Sequence, residues 1–459
     1  MISRPFLLVG QCISQIRDQS ENAFSLAAQL LREYQEKQEQ LDIAEGIDRL
    51  AKVTVDLGLN LQPGQQLIIT NPDGPIPIEA LPLVQRVTEH AYRAGASLVT
   101  VFFMDDTSVR ARFRYANGEA FDVSSNWLMD GMARAFQEGA AGLFLMADNP
   151  YLLSEEDKDK VSRASKSYLR ARAAIMPAIF NMRTNWSLIP VAMPAWARAV
   201  FPQNDENAAQ KQLWQAIFAS TRVDLPDASS AWKEHVAKLN ARAAAMNARN
   251  FVAIRFYGPD TDLVIGLADR HTWTTTTFDI ANGASTVFNM PTEEINTVPD
   301  ARRVDGYVRM TKPLFFSGVV IEDITVRFEK GRVVEAKART NNEVLQGLLK
   351  TDENSCRLGE VALVPHSSPI SQSGILYYNT VLDENAACHI AFGQAWSVGI
   401  QHGVNLSSDE LAALGANQSM IHVDMMVGSG KISVDGITAS GATEPVMRNG
   451  EFVAALEGN

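Results

Sequence analysis

Residues 65–103 read QQLIITNPDGPIPIEALPLVQRVTEHAYRAGASLVTVFF. Two short apolar runs, QQLIIT (65–70) and SLVTVFF (97–103), flank a segment of helical texture, PIEALPLVQRVTEHAYRAGA (77–96). A strand that is apolar on both faces must be covered on both, and a helix between two such strands is the crossover a parallel sheet requires. The theme repeats downstream, where the helical WLMDGMARAFQEGA (127–140) leads into GLFLMA (142–147) and then into the helical EEDKDKVSRASKSYLRARAA (155–174). The first half is therefore read as α/β with a parallel sheet. Its strand ends TNPDG, MDD and ADNP put polar residues where such sheets bind ligands, although Asp and Asn are also turn formers. No G-x-G-x-x-G follows LIIT, so a dinucleotide site would lack its phosphate-binding turn.

From about residue 248 the texture changes to hairpins. FVAIRFYGPDTDLVIGL (251–267) turns at Gly258-Pro259-Asp260, and ITVRFEKGRVVEAKA (324–338) turns at Lys330-Gly331. The expected organisation is a helical extension over 1–40, an α/β domain over 41–247 and a strand-rich α+β domain over 248–459. The length of 459 residues, with 46% hydrophobic and 20% charged residues, fits a soluble globular chain. A net charge of −12 argues against nucleic acid and anionic membrane surfaces as partners, and leaves a small molecule or peptide. The odd count of cysteines (Cys12, Cys356, Cys388) fits a reducing compartment, so a cytoplasmic location is expected. No run reaches the roughly 18 apolar residues of a membrane span.

Polar groups that a hydrophobic core would not select gather in the second half. In IHVDMM (421–426), His422 and Asp424 are two apart, so on a strand both project to one side. Burying a carboxylate beside an imidazole fits a bound metal, or an ordinary Asp–His hydrogen bond at a strand end. NMPTEEINTVPD (289–300) offers Glu293 and Glu294, of which an extended chain can aim only one inward. RLGEVALV (357–364) places Glu360 at the mouth of a buried strand, and LDENAACHIAFG (382–393) offers Glu384 and His389. On a regular helix these last two would stand about 140° apart, and Asn385 would share a face with His389 better, so spacing alone leaves Glu384 open. Such a mixed carboxylate and imidazole set suits Zn, Co or Mn, with a carboxylate able to bridge two ions and a bridging water made acidic. H-E-x-x-H, G-x-S-x-G and the full P-loop are all missing, which removes zincins, typical α/β-hydrolases and P-loop NTPases. Cys388 beside His389 reads as a small buried residue, since sequence neighbours seldom form a catalytic dyad.

Four ordered blocks, NMPTEEINTVPDARRVDGYV, GEVALVPHSSPISQSGILYYNT, DENAACHIAFGQAW and HVDMMVGSGKISVDGI, resemble the signature blocks of the M29 metalloaminopeptidases, with similarity from about residue 41 to the C-terminus. The resemblance implies an enzyme that releases N-terminal amino acids from peptides by attack of a metal-activated water. It also implies two divalent ions (Zn, Co, Mn or Mg) held by Glu294, Glu360, Glu384, His389, His422 and Asp424, and assembly as a homodimer. Glu293 is the expected general base, as the neighbour not used for ligation. One departure stands out: the family pattern has Tyr seven residues after the His of the third block, where this chain has Trp396, an aromatic that on a helix would pack near the face of His389. The rival readings are a dinuclear-metal amidase acting on a non-peptide substrate, and a metal-binding protein that has lost turnover.

Overall fold

The computed structural model of the chain describes residues 41–71, 74–147, 149–280, 283–316 and 319–456. The expected N-terminal extension lies outside the described residues. From Gly46 onward the described residues form one compact unit.

Its first part is the parallel α/β layer. Strand β1 (Gln66–Thr70) is followed by helix α1 (Leu81–Arg93) and strand β2 (Leu98–Val101). Helix α2 (Asn126–Gln137), β3 (Ala141–Met146) and β4 (Trp186–Pro190) continue the pattern. The strands order β2-β1-β3-β4, every pair parallel, and all six residues of β3 are buried and non-polar, as a doubly covered strand demands. The polar strand ends serve as turns and caps. Thr70 Oγ1 donates to Gly74 O at 2.9 Å, Asp105 accepts from Ser108 N at 2.9 Å at a helix start, and Asn149 Nδ2 donates to Asp106 at 2.8 Å.

Helices α3 (Glu206–Ser220) and α4 (Ala228–Arg249) lead into the strand-rich part. Leu239, Ala243 and Met246 recur at helical spacing on α4 and are buried in the core below. Asn250, in left-handed geometry (φ 48°), ends the helix. The expected hairpins follow: β5 (Ala253–Gly258) with β6 (Thr261–Leu267), and, beyond β7 (Ile295–Thr297) and β8 (Pro299–Arg309), β9 (Thr325–Glu329) with β10 (Arg332–Lys337).

The chain then forms β11 (Leu358–Leu363), helix α5 (Thr380–Glu384), β12 (His389–Gly393), β13 (His422–Met426), β14 (Ser433–Ile437), β15 (Thr443–Arg448) and β16 (Glu451–Phe452). An eight-stranded antiparallel sheet runs β10-β9-β8-β6-β5-β14-β15-β16, and a four-stranded one runs β7-β11-β12-β13. One hydrophobic cluster joins the two: Ile254, Phe256, Val304, Val326 and Phe328 from the larger meet Val361, Ile390, Phe392 and Val423 from the smaller, with Phe328 and Phe392 stacked at 5.8 Å. The fold is thus a parallel α/β layer followed by a strand-rich α+β part, and the smaller antiparallel sheet carries the site.

Candidate metal centre

The four-stranded antiparallel sheet has two unlike faces, and strand alternation makes them so. On the central β12, HIAFG sends Ile390 and Phe392 into the core and His389, Ala391 and Gly393 to the other side. The ladder places Glu360 opposite Ala391, Ala391 opposite Asp424, and Gly393 opposite His422. Residues directly opposite share a face. Two small residues on the middle strand therefore leave open space between the long polar side chains of its neighbours. Gly359 permits this arrangement: a Cβ there would lie 2.4 Å from the carbonyl oxygens of Gly393 and Gln394, so β11 bulges against the strand end that orients His422.

All six expected ligand residues meet on this face. Candidate ligand atoms of Glu294, Glu360 and His389 lie within 4.8 Å of one another, as do those of Glu360, His422 and Asp424, and those of Glu384, His389 and Asp424. Glu360, His389 and Asp424 each belong to two of these groups, so the groups abut. His389 Nε2 is 3.1 Å from Glu294 and 3.9 Å from Glu360, and His422 Nε2 is 3.3 Å from Glu360 and 3.5 Å from Asp424.

The helix offset weighed between Glu384 and His389 does not arise. Helix α5 ends at Glu384 and His389 opens a strand, so the turn between them, not a helical face, sets their relation. That turn also orients the imidazole: His389 Nδ1 donates to the carbonyls of Glu384 and Ala387, each at 3.1 Å, and His422 Nδ1 donates to Gln394 O at 2.8 Å. With Nδ1 donating to backbone carbonyls, each Nε2 faces the carboxylates, where the neutral ring would offer its lone pair to a cation. The Glu294 Oε2 atom is buried and faces His389 Nε2 at 3.1 Å, while Oε1 accepts from Asn296 Nδ2 at 2.9 Å. Four buried carboxylates crowded around two imidazoles are costly unless cations compensate them, and the donor set fits a divalent ion.

Electrostatics agrees with that fit. Burial raises the pKa of Glu360, and raises that of Glu384 well above the usual carboxylate range with help from Asp424 and Glu294. Burial alone would push His389 and His422 down, but the surrounding carboxylates outweigh it and hold both imidazoles well above their ordinary value. Without cations the cup retains protons, and binding cations there requires their release.

Glu293 stands outside the cluster. Its carboxylate takes Arg222 Nη2 at 2.6 Å and lies 3.7 Å from His235, and its backbone N–H donates to Asn385 Oδ1 at 2.7 Å. Burial raises its pKa, and Arg222 opposes that. A carboxylate held this way anchors the turn before Glu294, which is not the placement expected of the general base. His235 is a member of this buried group, with Nε2 donating to Thr292 O at 2.7 Å. Arg222 and His235 lie 71 and 57 residues from their partners, so no local pattern announced them. Cys388 is a core residue whose thiol is pushed up to about 12 by burial. Trp396 does not continue a helix from His389: it follows β12 and precedes a short 3-10 turn, with its indole Nε1 3.4 Å from His422 Nε2.

A sheet face of this construction, acidic and lined by two oriented imidazoles, has the donor set of a hydrolytic metalloenzyme. The chain belongs to the M29 peptidase family: the family described as Thermophilic metalloprotease (M29) matches residues 43–452. It is 44% identical to Aminopeptidase T of Thermus thermophilus over 407 residues, covering 89% of this chain and 98% of that protein. It is 39% identical to Aminopeptidase 2 of Geobacillus stearothermophilus, again with 89% and 98% covered. The solved structure titled Wild-type AmpT from Thermus thermophilus superposes with a TM-score of 0.83 at 43% identity, covering 89% of this chain and 99% of that one. The protein is a peptide-bond hydrolase of the metalloprotease class. Among the described residues, no helix is long and apolar enough to cross a membrane.

Proposed function

We propose that the chain is a metal-dependent aminopeptidase whose cations are held by Glu294, Glu360, Glu384, His389, His422 and Asp424. The observation that carries the reading is the convergence of these six side chains on one sheet face with Nε2 of both imidazoles turned inward. Four carboxylates carry a formal charge of −4, which two divalent ions from among Zn, Co, Mn and Mg would balance. When bound, the ions supply Lewis-acid polarisation of the scissile carbonyl and an acidified water as nucleophile.

The chain's own part is positioning. Glu360 and Asp424 each belong to two of the candidate ligand groups and would contribute to holding both ions, and a carboxylate or a bound ion there would hold the free α-amine of a substrate. The Arg222–Glu293–His235 group fixes the turn carrying Glu294, so Glu293 enters this reading as an anchor and not as the proton acceptor. A cytoplasmic location and a homodimer complete the reading. The first is supported by the free Cys356 and Cys388, the second by family resemblance alone.

The test is metal analysis of the purified protein combined with a panel of aminoacyl p-nitroanilides. Two ions per chain are expected, with nitroaniline released from free-amine substrates, not from their N-acetylated forms. Loss on chelation and recovery on adding the ions back should accompany this. Full metal occupancy without release from any member of the panel would overturn the assignment.

A further inference from the structure

Of the six clustered side chains, His422 is the one open to solvent: 21% of its side chain is exposed, against 1–7% for His389, Glu294, Glu360 and Asp424. Substrate therefore approaches past His422. The ring that covers it is Trp396, half-buried and edge-on, with centroids 5.7 Å apart and planes at 76°. Phe180 packs against Trp396 at 4.5 Å and Phe288 stacks on it at 6.3 Å. The wall is rigid: Ser397 Oγ donates to Phe180 O at 3.1 Å, and Phe288 stacks in turn on the half-buried Phe278 at 5.4 Å and packs on Trp186 at 4.9 Å. One side of the entrance is thus carboxylate and the other aromatic.

We infer that the wall headed by Trp396 receives the side chain of the substrate's N-terminal residue and selects peptides that begin with a large apolar residue. The inference rests on the aminopeptidase reading and deepens it. In an aminopeptide the reacting carbonyl, the α-ammonium and the first side chain all branch from one carbon and its neighbour. Once the carbonyl and ammonium face the acidic side, the side chain is left to face the other. There a leucine or phenylalanine side chain exchanges water for ring carbon, whereas a glutamate would give up water against aromatic ring faces. Removing part of an apolar pocket costs selectivity of tenfold or more per well-packed group. The indole N–H adds a donor beside His422, but the selecting element is the aromatic surface, which phenylalanine would largely preserve.

The experiment compares wild type, Trp396→Ala and Trp396→Phe, each metal-loaded and checked for ion content. Hydrolysis is read with leucyl, phenylalanyl, alanyl and glutamyl p-nitroanilides. Binding is read separately by calorimetry with leucine hydroxamate and glycine hydroxamate. Wild type should favour the leucyl and phenylalanyl substrates over the alanyl one by about tenfold or more in kcat/KM, mainly through KM. Trp396→Ala should compress that ranking to within about threefold and narrow the gap between the hydroxamate Kd values, and Trp396→Phe should restore both. An unchanged ranking and Kd ratio in Trp396→Ala at full ion content overturns the inference, as does collapse of both in Trp396→Phe. If wild type hydrolyses none of the substrates, the aminopeptidase reading fails by itself, while the hydroxamate Kd ratio still decides for or against an apolar wall.

Discussion

The protein contains two four-stranded sheets that treat polar residues in opposite ways. In the parallel β2-β1-β3-β4 sheet, β3 is buried and apolar throughout, and the polar residues beyond the strand ends close turns and cap helices. In the antiparallel β7-β11-β12-β13 sheet, one face joins the main core through Val361, Ile390, Phe392 and Val423, and the other holds the acidic cup. A parallel sheet clothed in helices has no face to spare, so its chemistry can sit only at its ends. An antiparallel sheet needs only one face for the core, and a second face largely covered by the rest of the chain becomes a place where buried charge is costly and calls for a compensating cation.

The sharpest way to break this contrast is Asp424→Ala. Asp424 is shared between two of the candidate ligand groups and faces small Ala391 across the ladder, so its loss opens both groups at once. Activity should fall by about 10³-fold or more, beyond the loss typical of a single catalytic donor, and metal content should drop with it. His366→Ala is the control, because His366 hydrogen-bonds Ser371 Oγ at 3.1 Å beside the Gly450 loop and is not among the clustered ligands. Kinetics and metal analysis on both variants check this, and equal losses would mean that the acidic face serves folding and not ligation.

A smaller effect asks how far the cost of buried charge spreads beyond the cup. His235 is buried beside Arg222 and Glu293, and its pKa is pushed down to about 3, chiefly by burial and secondarily by Arg222. Unfolded, the imidazole takes a proton near pH 6.5, and folded it does not until about pH 3. Its contribution to stability is therefore undiminished above about pH 6.5 and is lost at roughly 1.4 kcal/mol per pH unit as pH falls below that value. His235→Gln keeps a donor for Thr292 O but cannot take the proton. Urea unfolding of both proteins from pH 7 to pH 4.5 should show the wild type losing ground to the variant at about that slope. Parallel pH profiles would remove His235 from the account.

Much of this contrast was legible in the sequence, because both sheets are written in side-chain period. Continuous apolar runs between helical segments announced the parallel layer, and the i, i+2 spacing of His422 and Asp424 announced the acidic face. HIAFG carried the same alternation, with His389, Ala391 and Gly393 on one side and Ile390 and Phe392 on the other. Reading the stretch around it as helix concealed that signal, since DENAAC continues an apparent helix and nothing marks its end at Glu384. The Arg222–Glu293–His235 group and the approach of Trp396 to His422 are tertiary contacts between distant or turn-separated segments. Periodicity speaks only of neighbours along one element, so it is silent on both.

The smallest effect tests the parallel sheet's side of the contrast. Asp105 precedes the helix Asp106–Tyr115, accepting from Ser108 N at 2.9 Å and from Ser108 Oγ at 2.6 Å, bonds that lower its pKa. It has the same carboxylate as Asp424, at the kind of strand end where α/β sheets often bind ligands. Here, however, it is half-buried and already paired with the helix start. Its loss should remove a cap and nothing else. Asp105→Ala is expected to lower Tm by a degree or two, with kcat/KM within about twofold of wild type and metal content unchanged. Asp105→Asn, which can still accept from Ser108 N, should recover most of the Tm. A marked fall in kcat/KM for Asp105→Ala with Tm preserved would show that the edge of the parallel sheet contributes directly to the reaction, and the division of labour between the two sheets would fail.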